Sequence, residues 1–278
     1  KCRIKERMSV MKNRIASLFQ SVMTISSVFT GVAFAEGGSN KSPQAADTYA
    51  IFGSDNRVKV KDTTEKGSNA ICNLTIQFPS KRVYGTGFVY SDLTVGTAGH
   101  CIYDIATDTY ATQITIVPGD STQGGLDKAI IKDEKNMHVL TEFKDTHDWI
   151  YDYGCITLDE PFSSKVEPLS LNKSYLKEDY KTEYLTLSGY DIHTAQLYKQ
   201  RSNKLVTDVS NYDVSFKFDT LPGMSGSPIY NDDYEVVAIY NYGPNSGLNY
   251  VPEDYTDGYN TAQIMNSACY NYLMSFVE

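Results

Sequence analysis

Apolar residues in this chain gather in short runs broken by turn residues, the signature of many short strands. The pattern predicts strands over 57–60, 71–78, 87–90, 113–117, 129–131, 153–158, 182–187, 205–209, 214–218 and 236–240. A 3.6-residue period is nearly absent until the end. There Ile264, Ala268, Tyr272 and Phe276 recur at fourfold spacing, with Met265 and Leu273 beside them, which predicts one C-terminal helix over 264–277. The fold class is all-β, and this many short strands call for barrels or a sandwich.

Residues 1–50 have another character. Lys1, Arg3, Lys5, Arg7, Lys12 and Arg14 precede a mostly apolar stretch, 15–35, that ends Ala33-Phe34-Ala35. A basic segment, an apolar segment and a small-x-small site make a secretory signal peptide over 1–35. Residues 36–50 are mostly small and polar and read as a pro-segment. The soft, Pro- and Ser-containing stretch 160–168 then divides the rest into 51–165 and 166–278, with strand sets of similar size.

Composition adds two points. The net charge of −9 counts against nucleic acid as a partner. The 22 tyrosines against one tryptophan reinforce the strand reading.

Candidate chemistry centres on Gly223-Met224-Ser225-Gly226-Ser227-Pro228. A serine between glycines, ahead of a strand, can present a nucleophilic hydroxyl, and the turn's backbone N–H groups can converge on an oxyanion. A hairpin turn has the same composition, so the rest of the chain must decide. His100 lies among small residues in Val95-Gly96-Thr97-Ala98-Gly99-His100-Cys101, with room to face a cleft. A histidine is the right base for a serine that hardly ionises alone. The base needs a buried carboxylate on its other nitrogen. Asp152, just ahead of a strand-like run, fits better than Asp145 or Asp148, which sit in polar company. His147 is a rival base without the tight setting of His100. The spacing of His138, His147 and nearby acids fits no helix-based metal site, so neither a metal nor a cofactor is expected.

Thr97-Ala98-Gly99-His100-Cys101, Asp152-Tyr153-Gly154-Cys155-Ile156 and the Ser225 motif stand in the order His, Asp, Ser, at separations of 52 and 73 residues. The order resembles that of chymotrypsin-like serine proteases. Over 50–270 the chain is similar to the bacterial glutamyl endopeptidases. Ile51-Phe52-Gly53-Ser54-Asp55-Asn56-Arg57 resembles their mature N-terminus, and Tyr84-Gly85-Thr86-Gly87-Phe88 the strand before their histidine.

The resemblance implies two six-stranded antiparallel β-barrels with a C-terminal helix, the first carrying His100 and Asp152, the second Ser225. It implies a secreted endopeptidase, a monomer acting on protein or peptide substrates, with no stable membrane association after signal cleavage. The N–H groups of Gly223 and Ser225 would form the oxyanion hole. Thr220 and Tyr240 would line a substrate pocket for Glu, completed by a new N-terminus freed near residues 49 and 50.

This chain departs from the pattern in four places. Met224 stands where trypsin-like enzymes keep the aspartate that receives their new N-terminus. Tyr240 stands where the glutamyl group has histidine, and a phenol brings no positive charge. Asp219, six residues before Ser225, matches the aspartate of enzymes that cut after Lys or Arg. The cysteine that relatives bridge to the one after the catalytic histidine is Gly85 here, so Cys72, Cys101, Cys155 and Cys269 have no assigned pairing. The alternatives are a basic or aromatic preference, or a catalytically silent or highly selective binding module.

Overall fold

The structure, a computed structural model, describes residues 50–244 and 258–277. The signal-peptide reading and the pro-segment up to residue 49 lie outside the described residues.

The strands form two large curled antiparallel sheets. The first runs, in spatial order, Ala129–Ile131, Gln113–Pro118, Ile71–Gln77, Arg82–Ser91, Thr94–Thr97, Gly154–Thr157 and Met137–Val139. In Ile71–Gln77 the side chains of Cys72, Leu74 and Ile76 are buried while Asn73, Thr75 and Gln77 are half-exposed. That alternation is the period-two signature of a strand with one face on a core. The second sheet runs Val58–Lys59, Gln196–Ser202, Leu185–Asp191, Pro228–Tyr230, Glu235–Tyr242, Asn260–Ile264, Asp213–Phe216 and Val206–Val209, with Ser170–Leu171 added in parallel to Glu235–Tyr242. The sheets carry seven and nine strands because short segments such as Ser170–Leu171 join them beyond six each.

The strand Leu185–Asp191 is buried along its whole length. One side joins the second core, and Tyr190 packs into the first. The Tyr190 N–H donates to Thr86 Oγ1 at 2.9 Å, and its hydroxyl donates to the Asp120 carbonyl at 3.1 Å. The first bond ties the two sheets, and the second ties Tyr190 to the turn after Gln113–Pro118.

Both ends cross the division expected at 51–165 and 166–278. Val58–Lys59 pairs with Gln196–Ser202 in the second sheet. The C-terminal helix, Ser267–Met274, buries Cys269 and Leu273 in the first core, and Tyr90 donates its hydroxyl to the Leu273 carbonyl at 2.8 Å. The helix is shorter than its predicted 264–277. Ile264 ends the strand Asn260–Ile264, and Asn266 caps the helix by accepting from the Cys269 N–H at 3.0 Å. No helix among the described residues is long and apolar enough to cross a membrane.

Candidate active site

His100 and Asp152 meet because their strands are in register. Thr94–Thr97 pairs antiparallel with Gly154–Thr157, Thr97 opposite Gly154. Residue 100 lies three positions past one strand and residue 152 two before the other, so both emerge at the same end of the pair. His100 sits in a short 3-10 turn, Gly99–Cys101, and Asp152 directly follows another, Trp149–Tyr151.

The Asp152 carboxylate is fully buried. One oxygen accepts from the His100 backbone N–H at 2.7 Å. The other lies 2.7 Å from His100 Nδ1, which leaves Nε2 as the nitrogen available to a reacting group. His100 keeps 22 % of its side-chain surface exposed. Burial works against its charged form, but the Asp152 charge and hydrogen bond outweigh it and hold the imidazole pKa well above its usual value. Burial likewise opposes ionisation of Asp152, and the His100 charge, with hydrogen bonds from His100 and Tyr242, overcomes it and lowers the carboxyl pKa. The Tyr242 ring lies 5.6 Å from the imidazole, centroid to centroid. Asn241, 97 % buried, donates its Nδ2 to the Asp152 carbonyl and accepts from the Gln263 N–H at 2.9 Å. The second sheet therefore braces the backbone of Asp152.

Ser225 rides on a loop pressed against the histidine segment. Its carbonyl accepts from the Thr86 N–H at 2.8 Å and lies 3.7 Å from the Cys101 thiol. Thr86 also donates its hydroxyl to the Gly223 carbonyl at 2.8 Å. Gly223 and Gly226 have φ of +97° and +85°, the left-handed region. A Cβ on Gly226 would fall 2.2 Å from the Thr86 carbonyl oxygen, so only glycine lets the loop come this close. Among the described residues, neither the Gly223 N–H nor the Ser225 N–H has a protein acceptor. The structure thus brings His100 and Asp152 into a hydrogen-bonded pair and sets Ser225 on the adjoining loop.

The other histidines serve elsewhere. His138 meets Thr157 Oγ1 at 3.1 Å and stacks on Phe276. His147 ends the short helix Thr141–Thr146 with φ +55°. Asp148 caps the turn after it, accepting from the Ile150 N–H at 3.2 Å, and Asp145 is exposed. No group of three or more His, Cys, Asp or Glu among the described residues is placed to hold a metal ion.

Thr220 and Tyr240 are both buried and meet: the Tyr240 hydroxyl donates to Thr220 Oγ1 at 3.0 Å. The chain near residue 50 joins them. Ala50 bridges Thr220, its N–H 3.4 Å from Thr220 Oγ1 and its carbonyl accepting from the Thr220 N–H at 2.9 Å. Asp219, beside Thr220, is not a bare carboxylate, because its oxygens are taken up by residues 52, 56 and 200. Met224 lies in the second core, its sulfur near the Leu221 N–H and Arg57. Cys72, Cys101, Cys155 and Cys269 are free and buried. A Cβ on Gly85 would lie 2.9 Å from Cys101 Sγ, so residue 85 stands directly opposite Cys101.

Asn241, Tyr242 and Thr86 escaped the sequence reading. Each acts on residues 89 to 137 positions away or through a ring contact, and no local motif marks such a role.

Two curled β-sheets, with a buried His–Asp pair on one and a glycine-flanked serine loop from the other laid against it, define the chymotrypsin fold class. The chain belongs to the trypsin family, whose description matches residues 60–264. It is 30% identical over 198 residues to glutamyl endopeptidase of Bacillus licheniformis, covering 70% of this chain and 60% of that protein. It is 27% identical over 209 residues to a Bacillus subtilis protein named extracellular metalloprotease, covering 69% and 61%. The chain thus spans about three fifths of the length of these relatives. Among solved structures, a Glu endopeptidase in complex with MPD superposes with a TM-score of 0.68 at 21% identity, over 81% of this chain and 98% of that one. The chain is a trypsin-fold serine protease relative, related to glutamyl endopeptidase.

Proposed function

We propose that this chain is a secreted serine endopeptidase that cuts peptide bonds after Glu through Ser225, His100 and Asp152. The observation that carries the reading is the buried Asp152 held on His100 Nδ1 at 2.7 Å, with the Ser225 loop against the same segment. In this reading His100 Nε2 takes the Ser225 proton as Oγ attacks the scissile carbonyl. Asp152 holds the tautomer and offsets the imidazolium charge that develops. The Gly223 and Ser225 N–H groups receive the oxyanion. His100 then passes its proton to the leaving amine, and water completes the hydrolysis by the same route.

Preference for Glu rests on the pocket beside Thr220. A glutamate side chain needs donors and a positive charge. Thr220 has a hydroxyl to offer, and Tyr240 supplies no charge. The cation is the amino group of residue 50, released when segment 36–49 is cut away. Its nitrogen already lies 3.4 Å from Thr220 Oγ1. The signal-peptide pattern over 1–35 supports export, and the product is read as a monomer acting on proteins or peptides.

The test is a cleavage-site profile on a denatured protein mixture, with N-terminal sequencing of the secreted protein and labelling by an active-site serine reagent. Cuts after Glu, a start at Ala50 and labelling lost in Ser225→Ala are the expected results. No labelling of the parent chain would leave a silent binding module in place of an enzyme. Cuts confined to other residues would end the Glu assignment.

A further inference from the structure

We propose that Asp219 is a positioning residue for specificity: it clamps segment 50–56 so that the nitrogen of residue 50 sits at Thr220. This rests on the reading that the freed residue-50 amino group completes the acid pocket.

Asp219 is 1 % exposed. Its Oδ1 accepts from the Phe52 N–H at 2.7 Å, and its Oδ2 from the Asn56 N–H at 2.8 Å. Asn56 Nδ2 at 3.4 Å and Gln200 Nε2 at 3.3 Å complete the shell. No ion pair reaches Asp219 among the described residues. A carboxylate taken out of water needs its lone pairs filled, and here backbone amides fill two of them. Both belong to one segment, more than 160 positions away in the chain.

The geometry is a two-point grip on that segment. The carboxylate bridges the amides of residues 52 and 56, and Asn56 Nδ2 donates to the Ser54 carbonyl at 2.6 Å, closing the turn between them. Two residues upstream, Ala50 pairs with Thr220, the neighbour of Asp219. Two adjacent residues of the loop after the strand Asp213–Phe216 thus hold positions 50, 52 and 56. Gln200 fixes the clamp in turn, accepting from the Asp219 N–H at 2.6 Å. A side chain at the position of a basic-specificity aspartate is spent on building an acid pocket.

The donors are ordinary backbone N–H groups, present before and after any cut ahead of Ala50. The segment therefore docks in the uncut chain, and cleavage adds only the charge. This differs from a switch in which a new ammonium must first find a buried carboxylate.

The experiment compares the full chain, cleaved ahead of Ala50, with its Asp219→Asn variant. Asn keeps the size but turns one acceptor into a donor that faces an N–H. With Glu and Gln peptides, KM for the Glu peptide should rise about tenfold or more, kcat should stay within about threefold, and Glu-over-Gln discrimination should fall with KM. Hydrogen exchange at the Phe52 and Asn56 amides should speed up, while the serine-reagent labelling rate holds. Unchanged KM and unchanged exchange would overturn the proposal. A fall in kcat and labelling at constant KM would overturn it too, since that marks a general structural role. If the parent chain shows no Glu preference, the pocket reading fails, and exchange alone decides the clamp: faster exchange in the variant upholds it, unchanged exchange ends it. If Asp219→Asn does not fold, Phe52→Pro removes the donor from the other side of the same bond. It should give the same rise in KM, and an unchanged KM would count against the clamp.

Discussion

His100 and Asp152 sit at one end of a strand pair inside a single sheet, set by the register of Thr97 on Gly154. The proposed Glu pocket is assembled otherwise. Ala50 reaches Thr220 across 170 positions, and Asn56 reaches Asp219 across 163. The first region is as stable as the sheet that carries it. The second depends on one segment, 50–56, held by a few bonds at its edge. Such edges open at lower free energy than a core. Length of chain is no obstacle in itself, since each doubling of a loop costs only about 0.6 kcal/mol. In the proposed reading, chemistry and selectivity can therefore fail separately.

The sharpest break on the chemistry side is Asp152→Asn. It keeps the shape but loses the acceptor that sets the His100 tautomer. A loss of about 10⁴ in kcat is expected. The pH profile gives a second readout. Asp152 raises the His100 pKa, so the neutral base is lost as pH falls through that raised value. Removing the carboxylate charge should move the acid limb to lower pH. A residual activity with an unmoved limb would show that Asp152 does not govern the imidazole.

Asn241→Ala comes next. It strips a donor from the buried Asp152 carbonyl and an acceptor from the Gln263 N–H. Two buried groups left unpaired cost about 2–6 kcal/mol together. The loss should show in the urea midpoint, with Glu-over-Gln discrimination unchanged, because this brace does not touch residues 50–56. Altered discrimination would mean the two regions are coupled.

These cases show what was readable in the residues. His100, Asp152 and Ser225 each stand in a local motif, and their order supplied the fold. Asn241 does not, because its work is done on a carbonyl 89 positions away. Asp219 is legible as a carboxylate near the nucleophile but not as a clamp, since its partners lie more than 160 positions away. The strand Gln196–Ser202 was missed: Lys199 and Arg201 give it a polar look, yet it is paired on both sides. The short helix Thr141–Thr146 is six residues long and too brief to show a period. At the C-terminus the fourfold spacing ran through Ile264, but the chain is still a strand there, and Asn266 starts the helix.

Gly85→Cys sharpens the comparison from the other direction, by stiffening the chemistry side alone. The added Cβ would lie 2.9 Å from Cys101 Sγ. Across a disulfide that separation is about 3 Å, so the geometry suits a bond. Closing so short a loop should add about 3 kcal/mol. The check is the urea midpoint with and without reductant, plus a thiol count lower by one than in the parent chain. Selectivity should not move. A thiol count raised by one would show that the bond does not form.

Tyr240→Phe carries the smallest expected effect, and it tests how the pocket works. The Tyr240 hydroxyl is already spent, donating to Thr220 Oγ1 at 3.0 Å. Burial raises its pKa, so it stays neutral and brings no charge to a glutamate. Removing it costs one buried hydrogen bond, about 1 kcal/mol, or roughly fivefold in kcat/KM for a Glu peptide. The loss should fall on KM, because Thr220 is left less well oriented while His100, Asp152 and Ser225 are untouched. A loss of a hundredfold or more would make Tyr240 the main recognition group and shift the weight away from residue 50. An effect on Gln peptides equal to that on Glu would say that the hydroxyl shapes the pocket without reading charge, as a neutral phenol should.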